Sequence, residues 1–562
     1  MADPDPGPPL DVLVVGAGPT GLALACELAR RGVDCRLVDR QPGPAATSRA
    51  LVVHPRTRET FDLMGIPPSR LRPSLEVAAL VVADGPRPLA RLAFRRRRPG
   101  RPYDGILALP QRDSERILAE HLGSLGDRVE WSTALVGLDP RDGHVVATLR
   151  RGDREETLRA RWLVGADGAR STVRDLAGIP FAGDAMPHRF LVGDLRLDWG
   201  VSPAEARLVL ADRATLAAIP LPDPGWWQVV VALPDAPDLP AASATACQTL
   251  LRDLAGDPTV AVREARGLDA LRVREGMAAA YRRGRVLLAG DAAHAHGPIG
   301  GQGMNTGVQD AFNLGWKLAL AVAGTAAPGL LDTYEAERAP VARAVLRATG
   351  AGSRVALADH PLVRGARDLV LPVVLRGGGA QSVLAEHLTE LGVSYRGGPL
   401  AEPEPERRGV AGWLAARRPG VLRPGDRAPQ AHAQTLPAAN PVTLFDLYAS
   451  GRFTVLLFAG DHPGRDDVAR LIRIEEAIDG RRDALGRAFV VVRDPDLLAD
   501  AAGAGRVLLD RSGEMHRLYD AEPGAGWLVR PDGYLACLFD PARADAELRA
   551  YMARVVTPEA LA

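Results

Sequence analysis

The chain is almost without lysine. Of its 69 basic residues only Lys317 is not an arginine, and 69 acidic residues cancel them to a formal net charge of zero. A balanced chain has no global pull toward nucleic acid or an anionic membrane surface. The arginine excess, together with abundant Ala, Gly and Pro, reads as GC-rich coding bias rather than chemistry. Cysteine is scarce as well: Cys26, Cys35, Cys247 and Cys537 are scattered, with no C-x-x-C. That argues against a thiolate zinc site, a disulfide framework or a dithiol redox centre, and it fits a reducing cytoplasm. The opening MADPDPGPPL has neither a basic flank nor an apolar core, so no signal peptide is expected. No apolar run reaches the roughly twenty residues that span a bilayer, so no membrane partner is expected.

What is present begins with DVLVVGAGPTG, Asp11 to Gly21, and the apolar segment running on to Arg31. It reads as a buried parallel strand over residues 12–15, a glycine turn, and a helix through Leu22 and Leu28. In this G-x-G-x-x-G, Gly16 makes the tight turn, Gly18 lets backbone approach a pyrophosphate, and Gly21 lets helix and strand pack closely. Pro19 takes a first helical position, where a missing N–H costs nothing. The helix N-terminus then offers free N–H groups and a partial positive charge to phosphate. A second strand over residues 35–38 ends at Asp39, about twenty residues on, where a carboxylate can take the ribose hydroxyls of an adenosine. Strand, turn, helix, strand and acid in that order favour a dinucleotide site. Arg40 would also suit the 2′-phosphate of NADP, so this fingerprint alone does not separate NADP from FAD.

Residues 40–54 read as a loop and 55–64 as a helix. Arg49 either folds back over a diphosphate or flavin or faces solvent, and His54 reads as a hydrogen-bonder at the helix start. Residues 75–103 change to short alternating segments, suggesting antiparallel strands inserted into the parallel-sheet domain. Arg95 to Arg98 there reads as a solvated loop rather than a nucleic-acid patch. A helix starts near Arg112, with Gln111 at its mouth for either a cofactor hydroxyl or a local turn. Residues 129–158 read as a meander, with the backbone of Leu135 a candidate contact to adenine. In RWLVGADGARSTVRDLAG, Asp167 stands at a strand's carboxyl end, where open α/β sheets place ligands. Residues 180–275 return to alternation with Pro-rich turns. Trp226 and Trp227 face opposite sides there if extended: either one walls a pocket for an aromatic substrate, or one is core and one surface.

The second anchor is RVLLAGDAAHAHGPIGGQGMNTGVQDAFNLGWK, Arg285 to Lys317. A buried strand over residues 286–289 ends in Gly290-Asp291. A glycine-dense loop, 297–303, follows, and then a helix expected to be capped near Asn305 or Thr306. This offers a carboxylate for a polyol chain, loop backbone near a ring, and a helix N-terminus aimed beyond the loop. Such a dipole suits the negative charge a reduced flavin gathers on its pyrimidine ring. A further helix over 330–351 is expected to be interrupted at Pro340. The Pro-, Gly- and Arg-rich stretch 397–429 reads as a linker. Beyond it TVLLFAG, FVVVRD, GRVLLD and GWLVRPDGYLACLF read as strands of a small α/β domain.

GAGPTG with Asp39, GADGARSTVR and GDAAHAHGPIGGQGMNTGVQDAFNLGWKLA together resemble the single-component FAD-dependent aromatic hydroxylases, the p-hydroxybenzoate hydroxylase-type flavoprotein monooxygenases. The length and trailing domain look most like the phenol hydroxylase and aromatic-polyketide hydroxylase branch. The resemblance implies an α/β fold with a Rossmann-like FAD-binding domain over 1–75, 101–178 and 276–355. Into it is inserted an antiparallel-sheet substrate domain over 76–100 and 179–275. A helix and linker over 356–429 and a thioredoxin-like α/β domain over 430–562, without a dithiol, complete it. By the same resemblance Gly16, Gly18, Gly21, Asp39, Arg40 and Gln111 would bind FAD, Asp167 belongs to a motif associated with both FAD and NAD(P)H, and Pro19, Thr20, Arg49 and Leu135 are further cofactor-side candidates. FAD would also be bound by Asp291, Pro298, Gly301, Gly303, Met304 and Asn305, with the 303–305 backbone at the pyrimidine. Trp226, Trp227 and Pro298 are the substrate-side candidates. Gly297 is a departure, because family members often carry a proline or other residue ahead of Pro298.

The implied reaction takes NAD(P)H and O2 as cosubstrates. NAD(P)H reduces FAD, O2 adds to give a C4a-hydroperoxide, and its distal oxygen attacks an electron-rich carbon of a small aromatic substrate beside a phenol. The protein must keep the site dry and hold the ring at about 3–3.5 Å. No side chain is required as an obligatory acid–base catalyst; His294 and His296 are the candidates to help deprotonate the phenol. A bulky polyketide-type substrate is expected by analogy. Catabolic phenol hydroxylation, Baeyer–Villiger oxygenation by the same fold, and a non-catalytic flavin-binding assembly protein are the alternatives. Neither a metal nor a nucleic-acid partner is expected, and a homodimer is left open.

Overall fold

The structure is a computed structural model describing residues 8–45, 52–72, 74–94, 98–211, 214–235, 242–297, 300–356, 386, 388–402, 421–480, 486–498, 506–521 and 524–561. Its helices up to residue 356 are α1 (Pro19–Ala29), α2 (Pro55–Leu63), α3 (Gln111–Ser124), α4 (Thr172–Leu176), α5 (Ala244–Ala255), α6 (Gln302–Val322) and α7 (Asp332–Ala356).

Leu10–Val15 sits in the middle of an eight-stranded sheet, parallel to Cys35–Val38 on one side and to the end of Arg154–Gly165 on the other. Val14 pairs with Leu37 and with Val164. Val129–Glu130 extends the sheet beyond Cys35–Val38, and Val286–Leu288 extends it beyond Arg154–Gly165, both in parallel. Residues 12–15 are buried on both faces, which is why the run is apolar without alternation. The strand's neighbours lie to either side of it, so its carboxyl end opens on the crevice where such sheets bind ligands.

A second eight-stranded sheet joins residues 79–93 to residues 181–278. It is antiparallel apart from one pairing, Glu205–Leu210 with Ala79–Asp84. Its longest strands, Phe181–Asp198 and Ala261–Ala278, run side by side, and His294–Ala295 adds a short edge beside Ala261–Ala278. Leu75–Val77 belongs elsewhere, to a three-stranded sheet with Val52–Val53 and Ile106–Ala108.

The C-terminal sheet has seven strands. Val507–Leu509, Arg487–Val492 and Thr454–Phe458 are parallel, and an antiparallel hairpin of Ala525–Val529 and Leu535–Phe539 flanks them. The only lysine fastens this layer to the first. Lys317 Nζ lies 2.8 Å from both Glu337 Oε2 and Asn313 Oδ1, while Arg530 grips both oxygens of Glu337 at 2.6 and 2.8 Å. Burial pulls the Lys317 pKa down to about 8. Two further expectations are corrected. α7 runs through Pro340 unbroken: Ala336 and Pro340 are exposed, so the carbonyl that loses its donor is open to water. Described parts of the expected linker are packed as well. Glu402, Gly425 and Ala428 donate N–H groups to Ala536, Leu535 and Gly533 at 3.0, 2.7 and 2.9 Å.

Candidate functional site

Two helix N-termini and two strand ends meet at the carboxyl edge of the parallel sheet. Gly16 turns at φ +105° so close to the next strand that a Cβ there would lie 2.6 Å from the Ala166 carbonyl carbon. A Cβ on Gly18 would meet nothing within 4 Å. Gly18 is the N-cap of α1 without a side-chain cap, Pro19 follows it, and the first turn carries no acid. The first N–H groups of α1 are therefore left for an anion, with the helix's positive end behind them.

Asp39 closes this cradle. Its Oδ2 accepts the Ala17 N–H at 2.7 Å and its Oδ1 the Gln41 N–H at 2.8 Å. Arg40 beside it is exposed. The Asp39 carbonyl accepts the Thr133 N–H at 2.8 Å, bringing Leu135 alongside with its side chain buried. Gln111 opens α3 and donates to Glu115 Oε1 at 2.8 Å. Asp167 is committed to α4: it accepts the Ser171 hydroxyl at 2.5 Å and the Val173 N–H at 3.1 Å, and burial raises its pKa. What it offers the cradle is backbone, pressed against Gly16.

The third motif meets the first at Thr20. A Cβ on Gly290 would lie 2.5 Å from Thr20 Oγ1, and a Cβ on Gly307 would collide with the same hydroxyl. Asp291, exposed in the Gly290–Ala292 turn, has its Oδ1 3.7 Å from where a Gly303 Cβ would stand. α6 begins at Gln302, earlier than expected, with Gly301 as a left-handed N-cap at φ +64°, no side-chain cap and no acid in its first turn. Asn305 does not cap it. It turns inward, accepting the His54 N–H at 2.9 Å and donating to the Val52 and Gly301 carbonyls at 2.8 and 2.7 Å. Met304 packs against the core. His54, expected to bond at the helix start, gives α2 no side-chain cap; its ring lies 3.7 Å from Glu390 instead.

Behind α6 is a buried network. Asp310 Oδ2 lies 2.5 Å from His294 Nε2 and accepts the Gly290 N–H at 3.1 Å, while Oδ1 accepts Arg338 Nε at 2.6 Å. Burial pushes the Asp310 pKa up, but His294 and Arg338 together hold it down at about 2. His294 is thus tied into the scaffold. His296 stands with its ring 5.0 Å from that of His294, its nitrogens buried and without a partner among the described residues. Burial and the neighbouring His294 pull its pKa down to about 3.

The antiparallel sheet has two different faces. Leu191, Leu195, Val229 and Val231 pack against Leu251 and Leu254 of α5, and Trp227 belongs to that core. On the opposite face Phe190, Val192, Val230 and Ala232 form an apolar strip with Met186 and Leu271. Met186, at one end of this strip, meets Gly297. At one end Glu275 accepts the Gly297 N–H at 2.9 Å, and a Gly297 Cβ would stand 3.1 Å from Met186 Sδ. At the other, Ile219 and Leu80 pack on the cluster containing Val52, which abuts Gly301. Trp226 lies under Arg266, 4.0 Å from its ring centroid, and pairs with Arg196. That is roughly 30 Å along the strand from Met186 at ~3.3 Å per residue. Trp227 is thus a core residue, and Trp226 is half-buried beneath the arginine. Arg49 and Pro298 lie outside the described residues.

Over residues 9–349 the sequence matches the family described as FAD binding domain. The chain belongs to that family. 6-Methylpretetramide 4-monooxygenase of Streptomyces rimosus is 37% identical to it over 535 residues, 93% of this chain and 90% of that one. The flavin-dependent monooxygenase PieE, solved with FAD and substrate, has a TM-score of 0.79 at 27% identity, covering 98% of this chain and 99% of its own. Aklavinone-11 hydroxylase, solved with FAD and aklavinone, has a TM-score of 0.76 at 27% identity over 99% of each. This FAD-binding-domain protein is accordingly an FAD-dependent monooxygenase. Its residues fit that cofactor: the open approach at Gly18 and two uncapped helix ends suit a dinucleotide with an anionic diphosphate at its centre and an electron-accepting ring at one end. Among the described residues no group of His, Cys, Asp and Glu could hold a metal, and no helix is long and apolar enough to cross a membrane. Sequence reasoning missed Asp310, Arg338, Glu275 and Glu390. Asp310 lies within the third motif; the others carry no local signal.

Proposed function

We propose that the chain hydroxylates a bulky, polyketide-type aromatic at the expense of NAD(P)H and O2, with FAD seated between the first and third motifs. The backbone of residues 16–21, with Thr20 as wedge, holds the diphosphate, and Asp39, flanked by Arg40, Gln111 and Leu135, holds the adenosine. Asp291 takes the ribityl chain and the 303–305 backbone the pyrimidine. Bound FAD supplies hydride acceptance and O2 activation; the protein's share is to bind, orient and exclude water. The aromatic rings lie along the apolar strip of Phe190, Val192, Val230 and Ala232, whose Met186 end meets Gly297 of the loop before α6.

The observation that carries this reading is the Thr20 contact to Gly290 and Gly307, which brings a phosphate-type and a ring-type helix end into one cradle. The substrate class draws on the relatives, which act on 6-methylpretetramide and aklavinone by name. His294 is bound to Asp310, and burial together with the neighbouring His294 holds the His296 pKa down at about 3, so neither is assigned a proton-transfer role in this reading. Replacing Asp291 by Ala should strip the flavin, and a variant that purifies yellow with one FAD per chain would contradict the seat. For the wild type, polycyclic phenols should stimulate NAD(P)H oxidation and appear in mass spectra one oxygen heavier. Stimulation by simple phenols alone would refute the substrate class.

A further inference from the structure

One buried acid has no part in that scheme. Glu390 belongs to the segment 388–402 and is only 4% exposed. Its φ is +56°, a conformation non-glycine residues rarely adopt and one that persists only where the surroundings impose it. Its carboxylate accepts hydrogen bonds from Gln309 Nε2 and, at 3.3 Å, from Thr306 Oγ1, both in the first turns of α6, and it stands 3.7 Å from His54 Nδ1. Its neighbour Leu388 packs against the cluster of Val52, Phe94 and Ile106, so the segment is wedged behind the loop as well as behind the helix. The charged or titratable groups facing it are His54 at the start of α2, Asp310 on α6 and Arg338 on α7. Arg338 and Asp310 bond each other, and Arg338 also donates to the Thr306 carbonyl at 3.0 Å.

We propose that Glu390 is a positioning residue that tunes the bound flavin: reaching in from beyond the flavin domain, it sets the charge behind the turn of α6 on which the pyrimidine ring rests. The proposal depends on the FAD seat described above. The N-terminal turn of α6 favours an electron-rich reduced ring because its N–H groups and positive end face it. A carboxylate behind that turn cancels part of the field, whereas a neutral acid leaves it intact. With Glu390 protonated the flavin accepts electrons more readily, and with Glu390 ionised less so. Burial, only partly offset by Arg338 and the bonds from Gln309 and Thr306, pushes the Glu390 pKa up to about 8, so both forms are accessible near neutrality. By linkage the reduced flavin must hold the Glu390 proton more tightly than the oxidised flavin does. Reduction around pH 8 therefore takes up extra proton, and the flavin midpoint potential falls more steeply with pH there than below.

The test is spectroelectrochemical titration of the FAD-loaded full-length protein between pH 6 and 9.5, which needs no substrate. The wild type should show a steeper limb near pH 8. Glu390→Gln should lack it, matching the wild type at pH 6 and being the more easily reduced of the two at pH 9. Profiles of the two that run parallel throughout would overturn the proposal, and so would a wild-type profile without the limb. Should Glu390→Gln fail to hold flavin, Gln309→Leu decides: with one donor to the carboxylate removed, the limb should move to higher pH, and an unmoved limb counts against the assignment. Wild-type protein that takes up no FAD at all would instead overturn the flavin seat itself.

Discussion

At the N-terminus of α1, the contacts that shape the turn come from the motif or its adjacent strands. Gly16 sits on the 166–167 backbone and Ala17 donates to Asp39. At the N-terminus of α6 the turn is held by contacts to four separate segments: Asn305 to the Val52 carbonyl, Asp310 to His294 and Arg338, and Thr306 and Gln309 to Glu390. On the flavin seat proposed above, the contrast follows from what each end would face. A diphosphate carries fixed charge, so uncapped N–H groups and room for backbone suffice. A ring that changes charge when it is reduced would be served by a surround whose own charges are buried and paired and, on the proposal above, titrate at Glu390.

The sharpest way to break the α6 arrangement is Asp310→Ala. It leaves Arg338 buried without its carboxylate and takes the acceptor from both His294 and the Gly290 N–H. Removing one partner of a buried ion pair costs about 3–5 kcal/mol, which should appear as a lowered urea midpoint together with loss of the flavin band at purification. Unchanged flavin content and midpoint would mean that the pairing is incidental. Next in size is a pH effect. Glu390 has its folded pKa raised from 4.5 to about 8, so its native state binds the proton more tightly than the unfolded chain does. The stability this gives is fully present below about pH 4.5 and is lost as pH rises through 8, with a ceiling of about 1.4 kcal/mol per pH unit. Urea unfolding at pH 5, 6.5 and 8 should show the wild type losing stability relative to Glu390→Gln at each step. A constant difference between the two would exclude titration at this site.

The same contrast explains what could be read from the sequence. The α1 cradle was legible because its parts are consecutive: strand, Gly16, Gly18, Pro19 and Gly21, then Asp39 at the end of the neighbouring strand. The strand and loop leading into α6 were legible for the same reason. The start of α6 was not, because Asn305 looks like a cap locally and is claimed by Val52 and His54 from elsewhere in the chain. Glu390 and Arg338 carry no pattern at all; only the folded chain brings them to Thr306. The stretch 397–429 has linker composition, yet its backbone groups find partners in the C-terminal hairpin. Pro340 failed as a helix breaker because its freed carbonyl is on the wet side. Trp226 and Trp227 alternate as a strand should, Trp227 into the core under α5 and Trp226 half-buried on the other face.

Gly307→Ala probes the join between the two ends. Its Cβ would strike the Thr20 hydroxyl, and overpacking of this kind costs about 1–3 kcal/mol. The effect should show as a lower melting temperature and weaker FAD retention, and adding Thr20→Ala to the same chain should recover most of it. A double variant no better than Gly307→Ala alone would mean that the helices separate for some other reason.

The smallest effect belongs to the α1 end. Asp39→Asn keeps the shape of the side chain but replaces one accepting oxygen with a donor, so only one of the Ala17 and Gln41 N–H groups retains its acceptor. The turn is also held by Gly16 against the 166–167 backbone, so the fold should survive with little change in melting temperature. The FAD dissociation constant, followed by flavin fluorescence on adding FAD to apoprotein, should rise roughly tenfold, or about 1.4 kcal/mol. No change would leave Asp39 as a brace for the turn and nothing more. A loss of several orders of magnitude would mean that the α1 end leans on a single charged side chain as heavily as α6 leans on Asp310, and the contrast between the two ends would disappear.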